Sequence, residues 1–523
     1  MTVTSEPPAE GVKLSRTQVV QAMSGLMMGM FVAILASTVV ANALPRIVSD
    51  LGGSQSSYTW VVTTELLAMT ATVPLWGKLS DLYNKKLLIQ LSLAMFVIGS
   101  LVAGFSQDIG TLIASRVVQG VGAGGLTALA QVVMAAMVSP RELGRYMGIF
   151  GAVFAVGTVA GPLIGGVMVD TSWLGWRWCF LLGVPFALAA ILLLQRTLKL
   201  PTVRREGAKV DYLGALLIML GVSTLLVWTT LAGNKFDWLS GWTYFLVGAG
   251  LVVLALAVWV ESRVSEPIVP LSIFRNRTVT LTTVVSFLVG VAMFGGTVFL
   301  SQYFQLSLGK TPTVAGLMGL PMIFGLLVSS TASGQIISRT GKWKNHLILG
   351  GALMVLGFAL LATMSRETSV LVLSIYMFVL GAGVGMLMQN LVLVAQNDVA
   401  AQDLGAATSV LSFFRSLGGS IGVSVLGAVL ANRVTSEITT KLGPLPGGDS
   451  SGAVPDLSVL PEPIATVIRD AYGVATSEIF LFCLPFAVLA LLVILFLKQI
   501  PLKTLTGSER LAEETGVPIT PAH

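Results

Sequence analysis

The chain has 523 residues, of which 54% are hydrophobic and 11% charged, with a net charge of +6. Soluble proteins carry about 25% charged residues, so this chain has too few charges to cover a water-exposed surface, and an ordinary soluble domain is excluded. The positive balance says little about nucleic acid; how it divides between loops is what matters.

Residues 1–17, "MTVTSEPPAEGVKLSRT", form a polar tail without a cleavable-signal pattern, and the first long apolar run is expected to be a helix in its own right. A bilayer span needs about 20 apolar residues. Twelve charge-free runs of eighteen or more are present: 17–45, 87–107, 117–140, 146–169, 178–195, 212–234, 238–260, 278–309, 311–338, 345–365, 368–397 and 479–497. Two further runs carry one charge each, 51–77 with Glu65 and 404–432 with Arg415. Closed barrels show alternating segments of about ten residues, which these runs do not. The expected fold is an all-α polytopic membrane protein with fourteen transmembrane helices.

With fourteen spans both termini lie on one side. If that side is cytoplasmic, it holds 21 of the 31 basic residues, including Lys78, Lys85, Lys86, Arg141, Arg145, Arg204, Arg205, Lys342 and Lys344, against 8 in the opposite loops. Lysine and arginine favour the cytoplasmic side, so both termini are expected on the cytoplasmic side of the membrane.

Two loops on that side are alike: "GKLSDLYNKK" (77–86) after span 2 and "GQIISRTGKWK" (334–344) after span 10. Gly77 matches Gly334 and Asn84 matches Gly341, the latter pair at positions suited to a left-handed backbone. "QGVGAGG" (119–125) in span 4 similarly matches "LGAGVGM" (380–386) in span 12. Repeats this far apart imply two related six-helix bundles. The expected division is a tail (1–17), a first bundle (18–200), two inserted helices (201–265), a second bundle (266–500) and a tail (501–523). Within the second bundle, 433–476 is expected to be an irregular external loop with a short surface helix at "PIATVIRDAYGVA".

Cys179 and Cys483 lie within spans and read as packing residues. His346 and His523 have no metal-ligand partners in the sequence. Nucleophile, phosphate-loop and metal-site patterns are missing, so an enzyme, a metal or an organic cofactor is not expected.

Four stretches resemble the major facilitator superfamily, in its fourteen-helix drug:proton antiporter branch. "GKLSDLYNKK" resembles the loop signature G-x-L-x-D-R-x-G-R-K, and "LIASRVVQGVGAGG" (112–125) the span 4 signature R-x-x-Q-G-x-G. "GTVAGPLIGG" (157–166) resembles the antiporter signature G-x-x-x-G-P-x-x-G-G, and "GAATSVLSFFRSLGGSIG" (405–422) the span 13 pattern. The chain departs from the branch at Leu82, Asn84 and Ser338. It departs above all at Ala36 in "LASTVVANALP", where the branch carries the acid of span 1.

Glu65 is the candidate substitute. A charge at the bilayer centre costs about 2.5–3.5 kcal/mol on insertion scales, so such groups face a cavity or a partner. Glu65 and Arg116 each lie six or seven residues in from the outer end of their spans, roughly 10 Å deep, in the layer of Ala36. Two readings stand: Glu65 carries the coupling proton with Arg116 as its partner, or the two form a fixed structural pair, with Arg116 also held by backbone carbonyls or Gln119. The resemblance implies a cytoplasmic latch at Gly77, Asp81, Lys85 and Lys86, and an antiporter seam at Gly157, Gly161, Pro162, Gly165 and Gly166. Pro162 adds an expected kink. Gln119, Gln389 and Asn390 are candidates to line a substrate path or to bond helix to helix.

The resemblance implies a monomeric, proton-coupled exporter of amphipathic drugs or metabolites, cationic ones foremost, driven by the proton gradient, with lipid around it and no nucleic-acid partner. Export of a lipid or glycolipid by the same fold is the first alternative. A membrane scaffold or sensor that does not transport is the second.

Overall fold

In hydrocarbon a backbone group has no water to bond, so a spanning chain closes its hydrogen bonds within helices. The computed structural model describes residues 16–52, 55–171, 174–198, 211–232, 235–264, 266–442 and 461–515, and its long elements there are all helices. In chain order they are α1 (Arg16–Asp50), α2 (Gln55–Leu82), α3 (Lys85–Gly104), α4 (Ile109–Met137), α5 (Pro140–Asp170), α6 (Trp178–Leu181), α7 (Gly183–Thr197), α8 (Tyr212–Leu231) and α9 (Gly241–Glu261). The second half holds α10 (Arg277–Gln302), α11 (Pro312–Met318), α12 (Leu320–Thr340), α13 (Lys344–Leu361), α14 (Val370–Asp398), α15 (Leu404–Leu442), α16 (Glu462–Leu495) and α17 (Gly507–Thr515). Among the described residues twelve helical segments are long and apolar enough to cross a membrane. α2 and α5, of 28 and 31 residues, run among them, so the fold is compatible with fourteen spans.

Helix ends follow local chemistry. Asp108, Ser139, Asp211, Ser240 and Ser369 each cap a following helix by accepting a backbone N–H through the side chain. Gly341 ends α12 in the left-handed conformation with φ 70°. Its sequence counterpart differs: Asn84 is extended, with φ −62° and ψ 113°, and caps α3 by accepting from the Lys86 and Leu87 amides. The left-handed expectation fails there because an asparagine side chain can satisfy a helix start, which glycine cannot. α1 continues to Asp50, beyond the exit expected at Pro45. The segment 463–475 is the start of the 34-residue helix α16, so the separate surface helix expected there is absent; its apolar face continues the pattern of the span. The first part of that loop is not irregular either, since α15 continues as helix through 433–442; residues 443–460 lie outside the described residues, as do Arg204 and Arg205.

α1 packs on α5 and α7, and α2 and α3 on α4; in the second half α10 packs on α15, and α12 and α13 on α14. Without a hydrophobic drive between helices in lipid, close backbone approach at small residues supplies the contact. A Cβ on Gly124 of α4 would stand 2.6 Å from the Met69 carbonyl oxygen of α2. α8 lies against α2 and α15, and α9 lies chiefly against α8, leaving Trp242, Phe245, Leu251 and Trp259 exposed on its outer side.

The two halves meet along α2–α15 and α5–α12. On the lysine-rich face, hereafter the basic face, Gly77 abuts Gly405 and Ser409, and Gly334 abuts Gly144. The repeated loop glycines therefore occupy equivalent crossings. A strap formed by residues 499–515 lies across the same face. Ser508 Oγ donates to the Ala136 carbonyl of α4 at 3.0 Å, and the Arg141 amide donates to the Lys503 carbonyl at 3.3 Å. On the other half Arg510 donates to the Gln396 carbonyl at 3.2 Å and to the Val399 carbonyl, and the Ala401 amide donates to Glu514 at 2.9 Å.

Candidate functional site

Glu65 and Arg116 meet. Arg116 Nη2 donates to Glu65 Oε2, and the two residues are 2% and 1% exposed. Ser37 Oγ donates to the same oxygen at 3.3 Å. Ser37 follows Ala36, so Glu65 faces α1 beside the position without an acid. Arg116 Nη1 donates to Gln119 Oε1 at 2.6 Å, Nε donates to the Val61 carbonyl at 3.3 Å, and the guanidinium stands 5.7 Å from the Phe180 ring centroid. Gln119 Nε2 donates to Ser100 Oγ at 2.9 Å. Four helices, α1 to α4, thus hold one polar cluster.

The start of α4 sets the height of Arg116. Asp108 caps it; the Thr111 amide (2.8 Å) and hydroxyl (2.7 Å) hold the Asp108 carboxyl below its usual range.

The cluster is satisfied on one side only. Glu65 Oε1 is buried without a hydrogen-bond partner among the described residues. A carboxylate with one fixed oxygen and one open oxygen can take up a proton without breaking the pair geometry. Gln119 has both its amide atoms committed, so in this structure it supports Arg116.

On the basic face Asp81 accepts from the Gly405 amide through Oδ1 and the Ala406 amide through Oδ2, both at 2.9 Å. This places a carboxylate on the positive end of α15 in the opposite half. Lys85 adds a favourable charge near Asp81. Lys86 instead donates to the Gln195 carbonyl at 2.8 Å, within its own half. Lys78, buried, pairs with Glu266 at 2.6 Å and ties α2 to the chain that follows α9.

Gly157, Gly161 and Gly165 face α1: Thr38 Oγ1 donates to the Gly157 carbonyl at 3.3 Å, and a Cβ on Gly165 would stand 2.7 Å from the Val39 carbonyl oxygen. The surroundings of Pro162 and Gly166, and with them the expected kink, lie outside the described residues. Gln389 and Asn390 part company. Asn390 Nδ2 donates to Ser333 Oγ (3.0 Å) and the Met386 carbonyl (2.7 Å), a helix–helix tie. Both amide atoms of Gln389 are buried without partners among the described residues.

Sequence reasoning missed Ser37 and Phe180, which bear no signal beyond their neighbours, and gave no role to Arg415. It also missed the strap; the polar helix α17, "GSERLAEET", was the available sign. Among the described residues no cluster of three potential metal ligands is found.

Residues 26–423 match the Major Facilitator Superfamily. The chain belongs to this superfamily. It is 37% identical over 500 residues to an uncharacterized MFS-type transporter of Mycobacterium tuberculosis (strain ATCC 25618 / H37Rv), covering 95% of this chain and 72% of that one. It is 33% identical over 437 residues to the multidrug transporter protein MdtP of Bacillus subtilis (strain 168), covering 83% and 79%. The solved MFS proton:xylose symporter XylE is similar in fold, with a TM-score of 0.61 at 12% identity, covering 95% of this chain and 99% of that one. The chain is thus a multi-pass membrane transporter of small molecules and not an enzyme, and its relatives include proteins named as a multidrug transporter, a multidrug resistance protein and an efflux pump. The scaffold or sensor alternative gives way to this membership.

Proposed function

We propose that this transporter is a monomeric proton-coupled exporter of amphipathic drugs or metabolites in a bacterial cell membrane, with the basic face cytoplasmic. One observation carries the reading: Glu65, buried and paired with Arg116, keeps an open carboxylate oxygen and faces α1 beside Ala36, where the antiporter branch carries its acid. In this reading a proton from the outside neutralises Glu65, and a cationic substrate competes for the same carboxylate. Arg116 keeps the charged state accessible at that depth, since an opposite charge favours ionisation while burial opposes it. The proton gradient is the driver and no cofactor takes part.

Asp81, at the end of α2 and bound to the start of α15, is the latch of the cytoplasm-closed state, and the α1–α5 glycine seam is a packing surface within the first half that the transport cycle uses. The deciding experiment is pH-gradient-driven transport in proteoliposomes. Glu65→Gln should abolish it for cations; full proton-driven transport by that variant would overturn the reading.

Lipid or glycolipid export remains a second reading because of one feature. A cavity of about 770 Å³, lined by Val156 and Ala160 of α5, Leu320 and Phe324 of α12, and Ser374 and Phe378 of α14, opens sideways where Val156, Leu320, Phe324 and Phe378 are exposed. Lipid accumulation on deletion, with dye efflux unchanged, would favour it.

A further inference from the structure

Arg415 is the second buried guanidinium within a membrane-spanning helix, after Arg116, and the coupling pair leaves it unused. It is 8% exposed and lies eleven residues into α15, about 16 Å along the helix, near mid-membrane. Its Nη1 donates to the Met388 carbonyl at 3.4 Å, and no carboxylate stands within 4 Å among the described residues. A guanidinium has five donors, and in a bilayer such a charge is compensated by a partner or faces a pathway. Arg116, by contrast, has Glu65, Gln119 and the Val61 carbonyl.

Unmet polar groups gather in the same layer. Gln389 follows Met388, is 2% exposed, and has neither Oε1 nor Nε2 bonded. Ser412 Oγ, one turn before Arg415, and Ser330 Oγ are also unbonded. Gln389 and Ser330 flank Gly151 of α5: a Cβ there would lie 3.7 Å from Gln389 Cγ and 2.5 Å from Ser330 Oγ. The helices that carry Gly151, Ser330 and Gln389 are those that line the apolar cavity, which begins about one turn further from the basic face at Val156 and Leu327. Gly77 of α2 lies beside Gly405 and Ser409 of the antiparallel α15. Arg415 is therefore about 6 Å nearer the basic face than Glu65. The interior thus holds a Glu65–Arg116 pair and, at a different depth, a guanidinium with no carboxylate partner among the described residues.

We propose that Arg415, with Gln389, Ser412 and Ser330, forms a subsite for an acidic group — carboxylate, sulfonate or phosphate — of an amphipathic substrate whose apolar body lies in the α5–α12–α14 cavity. Arginine's fork suits an oxyanion, and the amide and hydroxyls supply the remaining donors. The inference rests on the transport reading and refines its substrate class: acids and zwitterions join the cations, a zwitterion placing its acid at Arg415 and its cation toward Glu65. The acid can come from water as an organic anion or from the leaflet as an acidic lipid.

The test is calorimetric binding to the full chain in phosphatidylcholine nanodiscs, with 2-naphthoate and methyl 2-naphthoate as probes of one body with and without the charge. Losing a charge-assisted hydrogen bond corresponds to about tenfold or more in affinity. Wild type should therefore prefer the acid by about that factor, and Arg415→Gln should erase the preference while ester binding stays within about twofold. Arg415→Lys should keep part of the preference, and Gln389→Ala should reduce it; these two decide the matter if Arg415→Gln does not fold. Equal binding of acid and ester by wild type, or an undiminished preference in the variants, overturns the subsite. Phosphatidylglycerol in the nanodisc should compete with naphthoate if the natural source is a lipid and leave it unaffected if it is a soluble acid. Glu65→Gln should retain the acid preference. A failure of proton coupling is thus read in Glu65→Gln transport, separately from a failure at Arg415.

Discussion

Asp81 binds Gly405 across the two halves of the molecule: its Oδ1 accepts the Gly405 amide at 2.9 Å, while its Oδ2 takes the neighbouring Ala406 amide. Both carboxylate oxygens are used as acceptors. Asp81→Asn replaces one acceptor with a donor that faces an N–H, besides removing the charge. Charge-assisted bonds of this kind contribute about 1.5–3 kcal/mol, so the variant should shift the halves toward opening at the basic face by about tenfold or more. Cysteine-labelling rates on the basic-face side of α15 should rise and transport should fall, with expression near normal. Unchanged transport would remove the latch role.

Arg116→Lys keeps a positive charge but has no planar fork. A lysine cannot reach Glu65, Gln119 and the Val61 carbonyl together, so Gln119 would lose a partner in a buried place. Transport should drop several-fold in a protein that still elutes as a folded species. Wild-type rates would show that only the charge is needed.

Glu65→Gln fits the same space and imitates the protonated acid. It should fold, since Arg116 keeps an oxygen acceptor, but leaving the guanidinium without a buried counter-charge costs a few kcal/mol, visible as lower thermal stability. Proton release on substrate addition should vanish. Ala36→Asp in this background should restore part of it, because α1 at Ser37 is already within hydrogen-bond reach of Glu65.

Gly161→Leu tests the α1–α5 seam. A Cβ at Gly161 collides with the Thr38 side chain and stands 3.0 Å from the Thr38 backbone carbon. Overpacking costs about 1–3 kcal/mol, and more is expected where backbone must yield. The variant should transport little and melt earlier; Gly161→Leu with Thr38→Gly, which removes the side-chain collision, should recover part of the stability.

Much of this was legible in the sequence for a physical reason: spans announce themselves by hydropathy, and an isolated charge inside one demands a partner at its own depth. Glu65 and Arg116 could be set beside each other by counting residues from the helix ends. Counting could not separate Gln389 from Asn390, which differ by 100° around α14; only packing sends one to Ser333 and leaves the other unbonded. It misread Asn84, because the choice between a left-handed turn and a side-chain cap depends on where α3 begins. It gave no warning of Ser37 beside Glu65, since one serine in an apolar run has no periodicity.

The strap has a consequence for biosynthesis. The bonds from Ser508 to Ala136 and from Arg510 to Gln396 join both halves through residues made after every spanning helix. A nascent chain therefore cannot form this clasp until residues 503–514 have left the ribosome, and a chain truncated before them lacks it even when α1 to α16 are in place.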